Sequence, residues 1–309
     1  MTRRRASLLA LLAVSAITVG VSLAQPFQPG GRRPSSGGSS VTIPEDRKGV
    51  ENWTVDEHFK KDVFTFVRIE YDSFGRGGFG GGGGGRRRGG YGGFGGGYGY
   101  GRWATDFPDS DLNFSWRLHQ LTALKVNPVP INMRLTDERL FDYPFIYIIE
   151  PGGLSFSPDE GTALRQYLLN GGFLMVDDFW GDFELNNFLE QMKERVFPEP
   201  QYEPKELPLD HLIFRCVYPL KEKPQVPSIH SWGGPGGPTW EYGHGGNTQQ
   251  VHYLGINDDK GRLMAIICHN TDLGDGWERE GESEEYFHEF SEKKSYPMGI
   301  NIVTYAMTH

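Results

Sequence analysis

The sequence predicts an α/β domain with a mainly parallel sheet. Three observations carry that prediction. Continuous apolar runs at residues 143–149 and 173–176 read as strands covered on both faces, as parallel sheets require. Amphipathic segments opened by helix-capping residues alternate with those runs. The stretch from about residue 45 to 309 is long enough to form one domain with a sizeable core.

Taken in order, residues 63–71 read as a buried strand that turns polar at its end. Asp109 or Ser110 is placed to cap a helix carrying Phe114, Leu118 and Leu121 on one face. Residues 126–133 read as an extended edge segment, because prolines cannot donate to a ladder. Residues 143–149 form the next strand. Ser157, Pro158 and Glu160 then spell an N-cap, a first-turn proline and a capping box, and Gly171-Gly172 ends that helix. The strand at 173–176 runs into Asp177-Asp178, and Asp182 is placed to cap a helix carrying Leu185, Phe188, Leu189 and Met192. Strands at 251–256 and 263–268 flank a turn-rich 257–261 segment, a hairpin signal. Ser295-Tyr296-Pro297 opens a last helix with Ile302, Val303 and Ala306 inward.

Residues 1–24 read as a secretory signal peptide. Three arginines precede a 14-residue apolar run, and small residues lie before Gln25. The Arg pair partly resembles a twin-arginine signal. Removal leaves 28 basic against 40 acidic residues, a net charge of −12. That balance disfavours a general nucleic-acid binder. No later stretch is apolar enough for a membrane span. The expected location is therefore exported, periplasmic or secreted. Cys216 and Cys268 lie in apolar runs, as buried thiols do, while an oxidising compartment leaves one disulfide open.

Residues 25–44 read as a disordered linker. Residues 75–101 hold 18 glycines, four arginines and five aromatics, which cannot bury enough surface to fold alone. This tract reads as a loop insertion or, alternatively, as an element docking on an anionic polymer or a partner protein. A Gly/Pro loop at 233–246 carries Trp240, Tyr242 and His244 and suits a lid or an insertion.

Open α/β sheets bind ligands beyond the carboxyl ends of their strands. The residues expected there are Arg102, Trp103, Asp106, Asp177, Asp178, His269, Asp272 and Trp277. Adjacent carboxylates suit a hard divalent metal or an acid–base pair; alternatively one caps the following turn and the other pairs with an arginine such as Arg102. His269 with Asp272, and Asp210 with His211, are candidate His–carboxylate pairs; capped turns serve equally. The sequence contains no P-loop, His-x-x-x-His, Cys-x-x-Cys or Gly-x-Ser-x-Gly motif.

Several motifs occur in order: Arg102-Trp103-x-Thr105-Asp106-x-Pro108, Leu164-Arg165-x-Tyr167-Leu168-x-x-Gly171-Gly172, Asp177-Asp178, Asp210-His211, Asp272-Leu273-Gly274-x-Gly276-Trp277 and Gly299-x-Asn301. Together they resemble the domain of unknown function numbered four-one-five-nine. That resemblance implies a three-layer flavodoxin-like fold, similar to the class I glutamine amidotransferase and trehalose-utilisation-like proteins. It also implies export and envelope association. In the amidotransferases a strand-to-helix elbow presents a nucleophilic Cys, whereas the corresponding residues 173–181 here carry Asp177-Asp178 and no thiol. A carboxylate is a poor substitute in amide attack, so the reading is a non-glutaminase binding or assembly module. Its expected partner is an envelope saccharide or protein, with a divalent cation as the cofactor the acids suit. The alternative is a hydrolase or isomerase acting on an envelope saccharide, with Asp177 or Asp178 as base and His211 or His269 as acid.

Overall fold

A computed structural model describes residues 51–55, 62–73 and 101–309. The expected leader, the linker and the Gly-rich tract up to residue 100 lie outside these residues.

The first strand, β1 (Val67–Glu70), is shorter than expected, and Phe64 forms only an isolated bridge to Val126. A two-residue strand, β2 (Asp72–Ser73), follows. Helix α1 (Asp109–Leu121) starts after Pro108, and no side chain caps it. The expected cap residues do other work: Ser110 Oγ accepts a hydrogen bond from the buried Arg68 guanidinium, whose charge is paired by Asp111. Next come β3 (Ile131–Arg134), β4 (Phe145–Ile149), the two-residue β5 (Leu154–Ser155) and α2 (Pro158–Leu169). Ser157 and Glu160 form the expected capping box. Strand β6 (Phe173–Asp177) leads to α3 (Gly181–Gln191), which is preceded by Trp180 and has no side-chain cap. Asp182 instead accepts from the Asn247 amide.

The second half adds a short β7 (Lys205–Glu206), one helical turn α4 (Ile229–Trp232) and the hairpin β8 (His252–Asn257) with β9 (Leu263–His269). It closes with α5 (Leu273–Glu278), a turn α6 (Glu284–Tyr286) and α7 (Tyr296–Thr308). A π-helical run at Phe287–Ser295 joins α6 to α7, and α7 itself begins at Tyr296, at its Ser-Tyr-Pro signal.

The main sheet has the order β3-β1-β4-β6-β9-β8-β7. Neighbours from β3 through β9 pair in parallel, and β8 and β7 add antiparallel. The fold is therefore α/β with a mixed, mainly parallel sheet. Numbered in chain order, its five parallel strands run 2-1-3-4-5, so the winding reverses between β1 and β4. Alternate strand residues feed two cores. One face packs Tyr147, Ile149 and Ile266 with Phe114, Trp277 and Ile302; the other packs Val67, Ile148 and Val176 with Leu164, Leu168 and Phe188. The two cysteines are free, so the disulfide alternative fails. Cys216 Sγ lies 3.2 Å from the Asn301 carbonyl, and Cys268 is wholly buried. Among the described residues, no helix is long and apolar enough to cross a membrane.

Candidate functional site

Each parallel strand around the reversal point ends in a segment with an unusual backbone. Among the described residues, four non-glycine residues adopt a left-handed conformation: Asp106 after β1, Glu150 after β4, Asp178 after β6 and Asn270 after β9. Each such residue costs roughly 1–3 kcal/mol, and such strain concentrates where a fold holds functional groups.

Specific bonds hold these segments. The Arg68 guanidinium, fully buried on β1, donates to the carbonyls of Trp103 (3.1 Å) and Thr105 (2.6 Å), and through Nε to Asp111 (3.0 Å). It therefore fixes the loop that presents Asp106. The Tyr71 hydroxyl lies 2.7 Å from the carbonyl oxygens of Ile149 and Glu150, tying the β1 and β4 ends together. Asn270 Oδ1 accepts from Gly181 N at 2.8 Å, while its amide donates to the carbonyls of Asn247 and Gln250.

This framework brings three expected residues together. Asp106, Asp178 and Asp272 place carboxylate oxygens within 4.8 Å of one another. Asp106 and Asp178 are 9% exposed and Asp272 4%, so the group opens only slightly to solvent. Asp106 Oδ2 has no hydrogen-bond partner. Burial first, and then neighbouring carboxylates, push all three acids well above the usual carboxylate range. The acids crowding Asp178 are Glu150, Asp106, Glu241 and Asp177.

A second carboxylate set, Asp106 with Asp275 and Glu278, shares Asp106. Here Arg279 Nε lies 3.1 Å from Asp275 and 2.8 Å from Glu278. Asp275 also accepts from Ile229 N (2.7 Å) and the Tyr286 hydroxyl (3.1 Å). Two of that set's three carboxylates are thus already paired with a guanidinium. Among the described residues, the Asp106–Asp178–Asp272 set has no such salt-bridged basic partner. Its spacing suits oxygen ligands around one hard cation, since opposite ligands lie about twice a metal–oxygen distance of roughly 2.1–2.4 Å apart.

The remaining expected residues separate. Asp177 points beneath the crevice: Oδ2 accepts from the Tyr147 hydroxyl (3.1 Å) and Gly274 N (3.0 Å). Burial raises it to about 7. Asp177 is the last residue of β6 whereas Asp178 is the left-handed residue beyond it, and only Asp178 shares a carboxylate cluster with Asp106 and Asp272. Neither pairs with Arg102. Instead, Arg102 donates to Glu150 (2.5 Å) and Glu184 (3.2 Å) across the crevice edge. Trp277 is fully buried against Phe114, and Trp103 is 7% exposed in the opposite core. Neither offers a binding surface, because the apolar interior takes both rings. His269 is buried, donates Nε2 to the Gly181 carbonyl and is pushed down to about 4 by burial, so it is neutral near pH 7. Asp272 does not pair with it; it accepts from Asp275 N and caps α5. His211 caps its own turn through Nδ1 and packs 5.8 Å from Tyr305. Tyr305 in turn packs against Phe173, at the start of β6 and the opposite end of the sheet.

Sequence reasoning named His244 only as part of a loop and missed Glu241. The structure sets both beside the crevice. His244 Nε2 and Glu241 Oε2 lie 3.1 Å apart, and the His244 ring is 6.3 Å from Trp180. Trp180 Nε1 donates to Asp178 Oδ1 at 3.3 Å. Arg68 was missed too, because nothing local in the sequence distinguishes a buried arginine.

The loop order Asp106, Asp177-Asp178, Asp272 and the Gly-Gly and Gly-x-Asn landmarks all fall inside one matched stretch, residues 97–307. The chain belongs to the family described as domain of unknown function, DUF4159. No curated protein matches it.

Proposed function

We propose that this DUF4159 chain is an exported, non-glutaminase module whose Asp106–Asp178–Asp272 crevice holds a divalent cation and, through it, a hydroxyl-rich ligand of the envelope. One observation carries the reading: three nearly buried carboxyls converge, one with a bare oxygen, and among the described residues none of the three is in a salt bridge with a basic side chain. Several unpaired charges in one buried place are costly, and a metal ion relieves that cost.

The parallel-strand order 2-1-3-4-5 supports a three-layer, flavodoxin-like and amidotransferase-like scaffold, whose ligands sit at the reversal between the first and third strands. On that reading, Asp178, left-handed on the β6-to-α3 turn, would take the place of the thiol of an amidotransferase-like elbow. Cys268 does not replace it: the thiol is fully buried, and burial pushes it well above the usual range.

The surrounding charges favour an uncharged ligand. Arg68 is spent on Asp111, Arg102 on Glu150 and Glu184, and Arg279 on Asp275 and Glu278. These bases are committed to carboxylates, while the crevice itself has carboxylates to spare. Sugar hydroxyls satisfy a hard cation without adding negative charge. The deciding experiment is calorimetric titration of the purified chain with Ca²⁺, Mg²⁺ and Mn²⁺. The expected result is one bound ion per chain, lost in Asp178→Asn. No binding of any of the three at millimolar concentration would refute the reading.

A second reading is hydrolysis of an envelope saccharide. It is favoured by one observation, the Glu241–His244 pair beside Asp178. In that reading His244 replaces His211 and His269 as the acid, since those two lie outside the crevice.

A further inference from the structure

The loop over the crevice is seated at backbone distance. A Cβ on Gly181 would fall 2.1 Å from the Gly245 carbonyl oxygen, and one on Gly246 would fall on the Asp182 carboxylate. The loop is pinned from three sides. Asn247 N donates to Asp182, the Asn270 amide donates to Asn247, and Ser228 N donates to Glu241 Oε1 at 2.8 Å. Within it, Glu241 and His244 form the one internal ion pair among the described residues of that loop. The His244 side chain remains 29% exposed, so its ring reaches both solvent and the crevice edge.

We infer that Glu241 and His244 are the proton-exchanging pair of the carboxylate crevice, with His244 carrying the proton and Glu241 fixing its ring. The inference rests on the cation reading above. Three contacts support it. Glu241 grips one ring nitrogen and is itself gripped by a backbone amide, so the imidazole is oriented rather than free. The ring lies against Trp180, which bonds Asp178 directly. The charged groups facing His244 are Glu241 and Glu184, which favour its protonated form, and Arg102, which opposes it. The bond to Glu241 is the main cause holding His244 above the ordinary histidine value. A dipositive ion bound beside Asp178 adds a charge of opposite effect. Proton and cation are therefore linked, and by reciprocity each changes the affinity of the other by the same factor.

The test is an NMR titration of the full chain with labelled histidines, with and without saturating Ca²⁺, read beside Ca²⁺ affinity as a function of pH. His269, buried and neutral, serves as an internal reference for the fold. Glu241→Gln should lower the His244 midpoint. Ca²⁺ should lower it by roughly half a pH unit, and Asp178→Asn should abolish that response. Half a unit corresponds to about a threefold coupling. Between pH 5.5 and 7.5, then, Ca²⁺ affinity should rise about threefold more in the native chain than in His244→Gln. A purely structural His244 would leave the two affinity profiles parallel. Ca²⁺ binding with an unmoved His244, or parallel profiles, overturns the inference while the cation reading stands. A chain that binds none of Ca²⁺, Mg²⁺ and Mn²⁺ overturns both.

Discussion

At the scale of single residues, Asp177 shows what burial does when it is not relieved. Its hydroxyl and amide partners stabilise the carboxylate, yet one oxygen is bare and burial still lifts the acid from 3.8 to about 7. Its folded value lies above its unfolded one. The stability it contributes is therefore complete below about pH 4 and is lost as pH rises to about 7. Asp106, Asp178 and Asp272 are shifted the same way. With a chelator present, the chain should be less stable at pH 8 than at pH 5, by on the order of 2–3 kcal/mol from Asp177 alone. Urea unfolding at the two pH values measures this, and saturating Ca²⁺ should narrow the gap. A chelated chain equally stable at both would show that these carboxyls are not held neutral.

At the scale of elements, the β6-to-α3 turn depends on Gly181. It has a φ of +75°, and the 233–246 loop passes too close for any side chain. Gly181→Ala combines left-handed strain with overpacking and should cost about 2–4 kcal/mol. Chemical denaturation checks the loss. Proteolysis at 233–246 should quicken, because the loop loses its seat. Native-like stability in this variant would mean that the loop does not rest on the turn. The capping box at Ser157 and Glu160 was plain in the sequence because it is a local pattern of two bonds three residues apart. The caps expected of Ser110 and Asp182 were not made. Both side chains answer to partners far along the chain, Arg68 and Asn247.

At the scale of the whole molecule, Arg68 joins the first strand to helix α1 and to the loop bearing Asp106. It and Asp111 are fully buried, so removing one partner strands the other's charge. Arg68→Met should destabilise the chain by roughly 3–5 kcal/mol and also weaken cation binding, because Asp106 loses its support. Thermal unfolding read beside Ca²⁺ titration measures both effects. A variant that loses stability while keeping full affinity would separate the fold from the site.

The sequence by itself determined the α/β class, the order of the long elements, and the fact that acidic loops lie past the strand ends. Each depends on periodicity or on neighbours within a few residues, and chain order alone reports these. Only the tertiary structure decided which acids meet. Asp178 and Asp177 are adjacent in the chain but only Asp178 enters the cluster, which Asp106 and Asp272, 166 positions apart, join. It also drew the two expected tryptophans into the cores and set His244, rather than His211 or His269, beside the crevice. The physical reason is that side-chain direction and burial are set by packing between distant segments, which no local pattern encodes.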